Sequence, residues 1–84
     1  MLNCLKLDND LSKYDYSNLY GKIKEYFGKQ AVFAAAMGLS ERSVSLKLNK
    51  LRSWTQQEMR RFCDITGLPY TEIPNYFFVL YVKN

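Results

Sequence analysis

The side chains best suited to chemistry stand close together, between Lys29 and Lys50. Arg42 carries a planar five-donor fork, and Glu41 beside it is an acceptor. Ser43 and Ser45 can donate or accept, as can the amides of Gln30 and Asn49. Lys29, Lys47 and Lys50 add ammonium groups. Such a set recognises polar surfaces and anions. It is poor material for catalysis: the chain has no histidine, nucleophile elbow, glycine-rich phosphate loop or paired-carboxylate pattern, and its acids are scattered. The sequence therefore predicts a protein that is not an enzyme, with no cofactor and no small-molecule substrate. Two cysteines, Cys4 and Cys63, with no CxxC and no histidine, cannot supply a zinc ligand set. Cys63 falls on the apolar side of a predicted helix and is expected to be a small buried hydrophobe.

Charge gathers around the same segment. Residues 22–61 hold nine basic side chains (Lys22, Lys24, Lys29, Arg42, Lys47, Lys50, Arg52, Arg60, Arg61) against three acidic ones (Glu25, Glu41, Glu58), a local net charge of +6 in a chain of +4. Local neutralisation of this kind favours phosphate binding through counterion release. The longest apolar run, Phe77–Val82, is six residues and too short to span a bilayer. The N-terminus lacks a basic stretch followed by an apolar core, so no secretory signal is expected. The default location is the cytoplasm, here that of a bacterial host cell, with no membrane partner.

Along the chain, 84 residues make one domain, 1–84, with a modest core. Residues 1–16 read as an N-terminal arm: Met1–Leu7 as a short strand or arm, then an Asp-rich loop. Residues 17–78 read as a helical core of five helices. Ser17 is the expected cap of the first, over 18–27, with Leu19, Ile23 and Phe27 at helical spacing and Gly28 ending it. The second runs over 29–37, rich in alanine. Gly38 supplies a left-handed turn residue, Leu39 plugs the corner, and Ser40 caps the third helix over 41–49, whose inward stripe is Val44 and Leu48. This is the pattern of a helix-turn-helix, a device that presents side chains to the DNA major groove. Leu51–Trp54 is a connector. Thr55-Gln56-Gln57-Glu58 is a capping box opening a fourth helix to about Thr66, which Gly67 and Pro69 close. Thr71 is the expected cap of a short fifth helix, with Ile73 and Phe77 inward. Residues 77–82, aromatic and β-branched, read as a terminal strand. The fold class is thus all-α with a short C-terminal β-strand.

On Gln30, Phe33, Ala34, Met37, Gly38, Leu39, Val44 and Asn49, in that register, the chain resembles the lambda-repressor-like (Xre/Cro type) helix-turn-helix family, and within it the small repressor or Cro-like proteins of bacteriophages and prophages. Ala34 lies where the two helices cross, Gly38 at the turn, and Val44 anchors the third helix. The resemblance implies that Gln30, at the start of the second helix, bonds a DNA phosphate, with Lys29 beside it. It implies that Glu41, Arg42, Ser43 and Leu46 lie at or near base-reading positions. Arg42 would pair with guanine O6 and N7, Glu41 would accept from a cytosine amino group or orient Arg42, and Leu46 would meet a thymine methyl or pack against the fourth helix or a partner. Ser45 and Asn49 join this face, and Lys47, Lys50 and Arg52 are expected phosphate contacts. Three positions depart from the family: Lys29 replaces the usual Ser or Thr cap, Lys47 stands where an apolar residue is usual, and Lys50 follows Asn49 in place of Gly.

The function this implies is sequence-specific binding of double-stranded operator DNA as a transcriptional regulator, a phage or prophage repressor or Cro-like protein. Two aromatic clusters, Tyr14 to Tyr26 and Tyr70 to Tyr81, suggest interfaces. Pairing of the terminal strand with Met1–Leu7, or with a second subunit, would cover its edge. A homodimer is expected, with two third helices about 34–36 Å apart on a near-palindromic site. The alternative reading is a protein-binding module of the same fold: an antirepressor, a repressor partner or an antitoxin.

Overall fold

Four of the five described α-helices end one or two residues before a residue with positive φ: Gly28, Gly38, Lys50 and Gly67. A computed structural model describes residues 11–81. Among them are five α-helices: α1 (Ser17–Phe27), α2 (Gln30–Met37), α3 (Glu41–Leu48), α4 (Gln56–Thr66) and α5 (Ile73–Phe77), the last entered through a 3-10 turn at Tyr70–Glu72. At the end of α2, Gly38 has φ +73°, its amide donates to the Ala35 carbonyl, and the Leu39 amide donates to the Ala34 carbonyl at 2.9 Å. The same double bond closes α3, but there the left-handed residue is Lys50, with φ +67°. Its amide donates to the Lys47 carbonyl at 3.2 Å and the Leu51 amide to the Leu46 carbonyl at 2.9 Å. Both ends satisfy carbonyls that the helix leaves open. Lys50 thus does at φ > 0 what a glycine would do without a Cβ penalty.

The helix starts are only partly those expected. Ser40 and Thr55 cap α3 and α4, and Glu58 completes the capping box by accepting from the Thr55 amide at 2.9 Å. Ser17 is not a cap. It is the first residue of α1, and Asp15 serves the end by accepting from both the Ser17 amide and the Ser17 hydroxyl. These bonds hold the Asp15 carboxyl below its ordinary pKa. Thr71 does not cap α5 either, because it lies within the 3-10 turn.

Aromatic rings fill the centre. Phe33 of α2, Phe62 of α4 and Phe77 of α5 are fully buried. Phe62 meets Phe77 edge-on at 5.4 Å between ring centres, and Trp54 meets Phe77 at 5.5 Å. Edge-to-face contacts at these spacings suit the ring quadrupoles. Leu19 and Ile23 of α1, Ala34 and Met37 of α2, Val44 and Leu48 of α3, and Cys63 of α4 complete the core. Burial pushes the Cys63 thiol pKa up. Trp54, expected in a connector, is a core residue.

The terminal strand does not form among the described residues. Phe77 ends α5, which leaves residues 79–81 to pair, and they make one isolated antiparallel bridge, Tyr14 with Leu80. The Asp15 amide donates to the Val79 carbonyl at 2.7 Å and the Tyr81 amide to the Lys13 carbonyl at 3.0 Å. The partner of the tail is therefore residues 13–15; the expected pairing with Met1–Leu7 lies outside the described residues. Phe78 packs edge-on against Tyr14 at 6.0 Å.

Candidate functional site

The helices α2 and α3 carry the residues singled out above, and the turn at Gly38 sets one against the other. Ser40 fixes the start of α3: its hydroxyl accepts from the Ser43 amide at 3.1 Å and donates to the Ser43 hydroxyl at 3.0 Å. Glu41 and Arg42 follow on the first turn, both exposed, and neither makes an ion pair among the described residues. Glu41 also places a negative charge at the positive end of the helix dipole. Ser45 and Leu46 are half-buried, and the exposed Asn49 donates to the Ser45 hydroxyl at 3.4 Å. Lys29 is exposed as the extended residue before α2, and Gln30 is half-buried at its first position; no side chain caps this helix.

Two of the lysines expected to contact phosphate are engaged within the protein. Lys47 is turned inward and 7% exposed, on the same arc of α3 as Val44 and Leu48. Its ammonium lies 3.0 Å from Glu58 Oε1, donates to the Ser53 carbonyl at 3.1 Å, and sits 5.8 Å from the Trp54 ring centre. The position is thus filled by a charge that brings its own partners, which is how a lysine can occupy an apolar site. Lys50 is half-buried and engaged by the tail: its ammonium donates to the Tyr81 hydroxyl at 2.9 Å and lies 4.2 Å from that ring's centre. Arg52 is exposed. Arg61 donates from Nε to the Ala36 carbonyl at 3.1 Å, a cation against the negative end of α2.

The outer face of α2 is a surface feature that the sequence expectations did not include, although its composition signals it. In α2 (QAVFAAAM) Gln30 is the one polar residue. A helix apolar all round is normally buried all round. Here Phe33, Ala34 and Met37 face the core, whereas Ala31, Val32 and Ala35 face solvent, with Val32 50% exposed. Next to the start of α2, a concavity of about 420 Å³ is lined by Tyr20, Gly21, Ile23, Lys24, Gly28 and Gln30. A second, about 300 Å³, lies beyond the end of α3 between Asp15, Tyr20, Asn49, Lys50 and Tyr81. No described group of three or more His, Cys, Asp or Glu side chains is placed to hold a metal, and no described helix is long and apolar enough to cross a membrane.

The described surface thus carries an apolar outer face on α2 and an exposed arginine without an ion pair on α3. The chain belongs to the family described as "Protein of unknown function (DUF739)", which matches residues 12–79. It is similar to the modulator of repression (MOR) of the temperate bacteriophage TP901-1 from Lactococcus lactis, known from a solution structure. The two are 52% identical, the match covers 79% of this chain and 89% of that one, and the TM-score is 0.66. No curated protein matches the chain. These matches make it a phage-related, mostly helical protein, and neither of them names the lambda-repressor-like family.

Proposed function

We propose that this chain is a regulator of a phage repression switch that acts by binding a repressor protein, through the surface formed by α2 and α3. The observation that carries the reading is the 52% identity to a phage modulator of repression over most of both chains. The surface supports it. Ala31, Val32 and Ala35 give α2 an apolar outer face, which a sugar–phosphate backbone cannot use but a protein can. Arg42, unpaired on α3, is the kind of side chain that anchors an interface. Burial of Lys47 against Glu58 and engagement of Lys50 by Tyr81 also favour this reading over one in which both lysines hold phosphates.

A second reading, direct binding of duplex DNA by α3, rests on the exposure of Lys29, Glu41 and Arg42. In that case Arg42 reads a base, and Lys29, Gln30, Asn49 and Arg52 position the backbone. Titration calorimetry against the TP901-1 repressor, paired with duplex binding measured across a salt series, separates the two. The expected result is a complex with the repressor that Val32→Asp or Arg42→Ala weakens at least about tenfold, or ~1.4 kcal/mol. No affinity for the repressor, together with steeply salt-dependent duplex binding, sinks the main reading and leaves the second. Solution mass in the same samples tests the expected homodimer, for which Leu80, the bridged tail residue, presents an apolar side chain 54% exposed.

A further inference from the structure

The ion pair between Lys47 and Glu58 stands apart from the rest of the charge on this molecule. The Lys22–Glu25 pair is local, three residues apart on α1, with the Glu25 side chain 71% exposed. The Lys47–Glu58 pair joins two helices, and its side chains are 9% and 16% exposed. Each partner is also held from behind. Glu58 Oε1 accepts from the Thr55 amide at 2.9 Å while the Glu58 amide donates to the Thr55 hydroxyl at 3.1 Å, so the carboxylate is fixed to the start of α4. Lys47 Nζ donates to the Ser53 carbonyl at 3.1 Å, in the segment that leads from α3 to α4. The capping box therefore has a second use, because its carboxylate receives a cation from another helix.

The place of this pair in the packing gives it a role. The backbone of α3 packs chiefly against α2. Val44 and Leu48 enter the core, but contacts between aliphatic side chains are non-directional and tolerate repacking. A charge-assisted hydrogen bond does not, because it has a preferred length and direction. We propose that Lys47 and Glu58 are positioning residues: their pair sets the angle of α3 relative to α4, and so the direction in which Glu41 and Arg42 are presented to a partner. Buried pairs are commonly close to neutral for stability when exchanged for neutral side chains of similar size, while the loss of one member is costly. The effect of removing both therefore falls on geometry and only weakly on stability.

The part concerning a partner rests on the proposed repressor-binding role; the part concerning geometry does not. The test uses the full chain and three variants: Lys47→Met, Glu58→Gln, and the double variant, in which the new glutamine's side-chain carbonyl can still accept from the Thr55 amide. Residual dipolar couplings of the α3 and α4 amides read the angle directly, urea denaturation reads stability, and calorimetry with the TP901-1 repressor reads binding. In the double variant the urea midpoint is expected to stay near wild type, while α3 reorients by about 10° or more, the tolerance within which functional constellations are usually held. Affinity for the repressor falls about tenfold or more with it. If the double variant folds and its α3 couplings fit the wild-type orientation, the proposal is overturned. If it does not fold, the pair is a stability element and the proposal is overturned as well. Reorientation in a protein whose wild type shows no affinity for the repressor supports the positioning role and refutes the binding role, so the two failures are distinguishable.

Discussion

Lys50 offers a direct measure of how much strain the end of α3 holds. It is the one described non-glycine residue with positive φ, at +67°. An L-residue in this conformation sits ~1–2 kcal/mol above its right-handed form, because Cβ crowds the following carbonyl. Replacement by glycine removes that cost but gives the unfolded chain more freedom, worth ~0.4–1 kcal/mol in the opposite sense. It also removes the ammonium from the Tyr81 ring, a contact worth ~0.5–1 kcal/mol at an exposed site. For Lys50→Gly the terms nearly cancel, and little change from wild type is expected. Lys50→Ala separates them, since it loses the Tyr81 contact and keeps the strain. The glycine variant should exceed the alanine variant by ~1 kcal/mol, the difference between the first two terms. In thermal unfolding of a domain this size that is about 4–8 °C. Urea denaturation of the two variants side by side measures the gap. Equal midpoints would refute the reasoning, since they would mean that the residue after Asn49 is not held left-handed in solution.

Three further outcomes follow from the same structure. Gly21 lies within α1, and a Cβ added there would meet nothing within 4 Å, so Gly21→Ala should raise stability by ~0.5–1 kcal/mol, read as a higher urea midpoint. Thr55→Ala removes the cap of α4 and should cost ~1 kcal/mol in the same assay, with Thr55→Ser close to wild type. The Asp15 carboxyl is held below its ordinary value of 3.8 by the Ser17 bonds, so its contribution is full above that value and is lost as pH falls through the lower folded-state value. Asp15→Asn should flatten this acid limb in urea midpoints taken from about pH 5 down to about pH 2.

The parts of the fold legible in the sequence are those whose cause is local. Thr55 and Glu58 stand three apart, and a capping box needs nothing else. Gly38 follows an alanine-rich run and turns left-handed there; the core stripe of Val44 and Leu48 follows from helical spacing. What is not legible depends on distant partners. Lys47 reads as a surface lysine until Glu58 and the Ser53 carbonyl, both further along the chain, arrive to hold its ammonium. Trp54 reads as a connector residue until Phe33 and Phe77 close around it. The tail has strand composition, but α5 takes Phe77 and the rest of the described tail meets residues 13–15 in a single bridge. The site divides in the same way. The outer turn of α3, with Glu41 and Arg42, is visible from capping and periodicity, whereas the composition of α2 shows it to be apolar all round but not which of its apolar residues stay exposed.

The bridge between Tyr14 and Leu80 has a bearing on the order of folding. The contacts of α2 with α3 join near neighbours in the chain, and such contacts can form while synthesis continues. The bridge cannot, because its two halves are separated by all five helices. Until residues 79–81 are made, Asp15 lacks the Val79 carbonyl and Lys50 lacks the Tyr81 hydroxyl. Closing so long a loop costs chain entropy that grows only slowly with length, so the preassembled helices can bear it in one late step. Among the described residues, the bridge is thus a contact whose formation waits on the helices between its two halves.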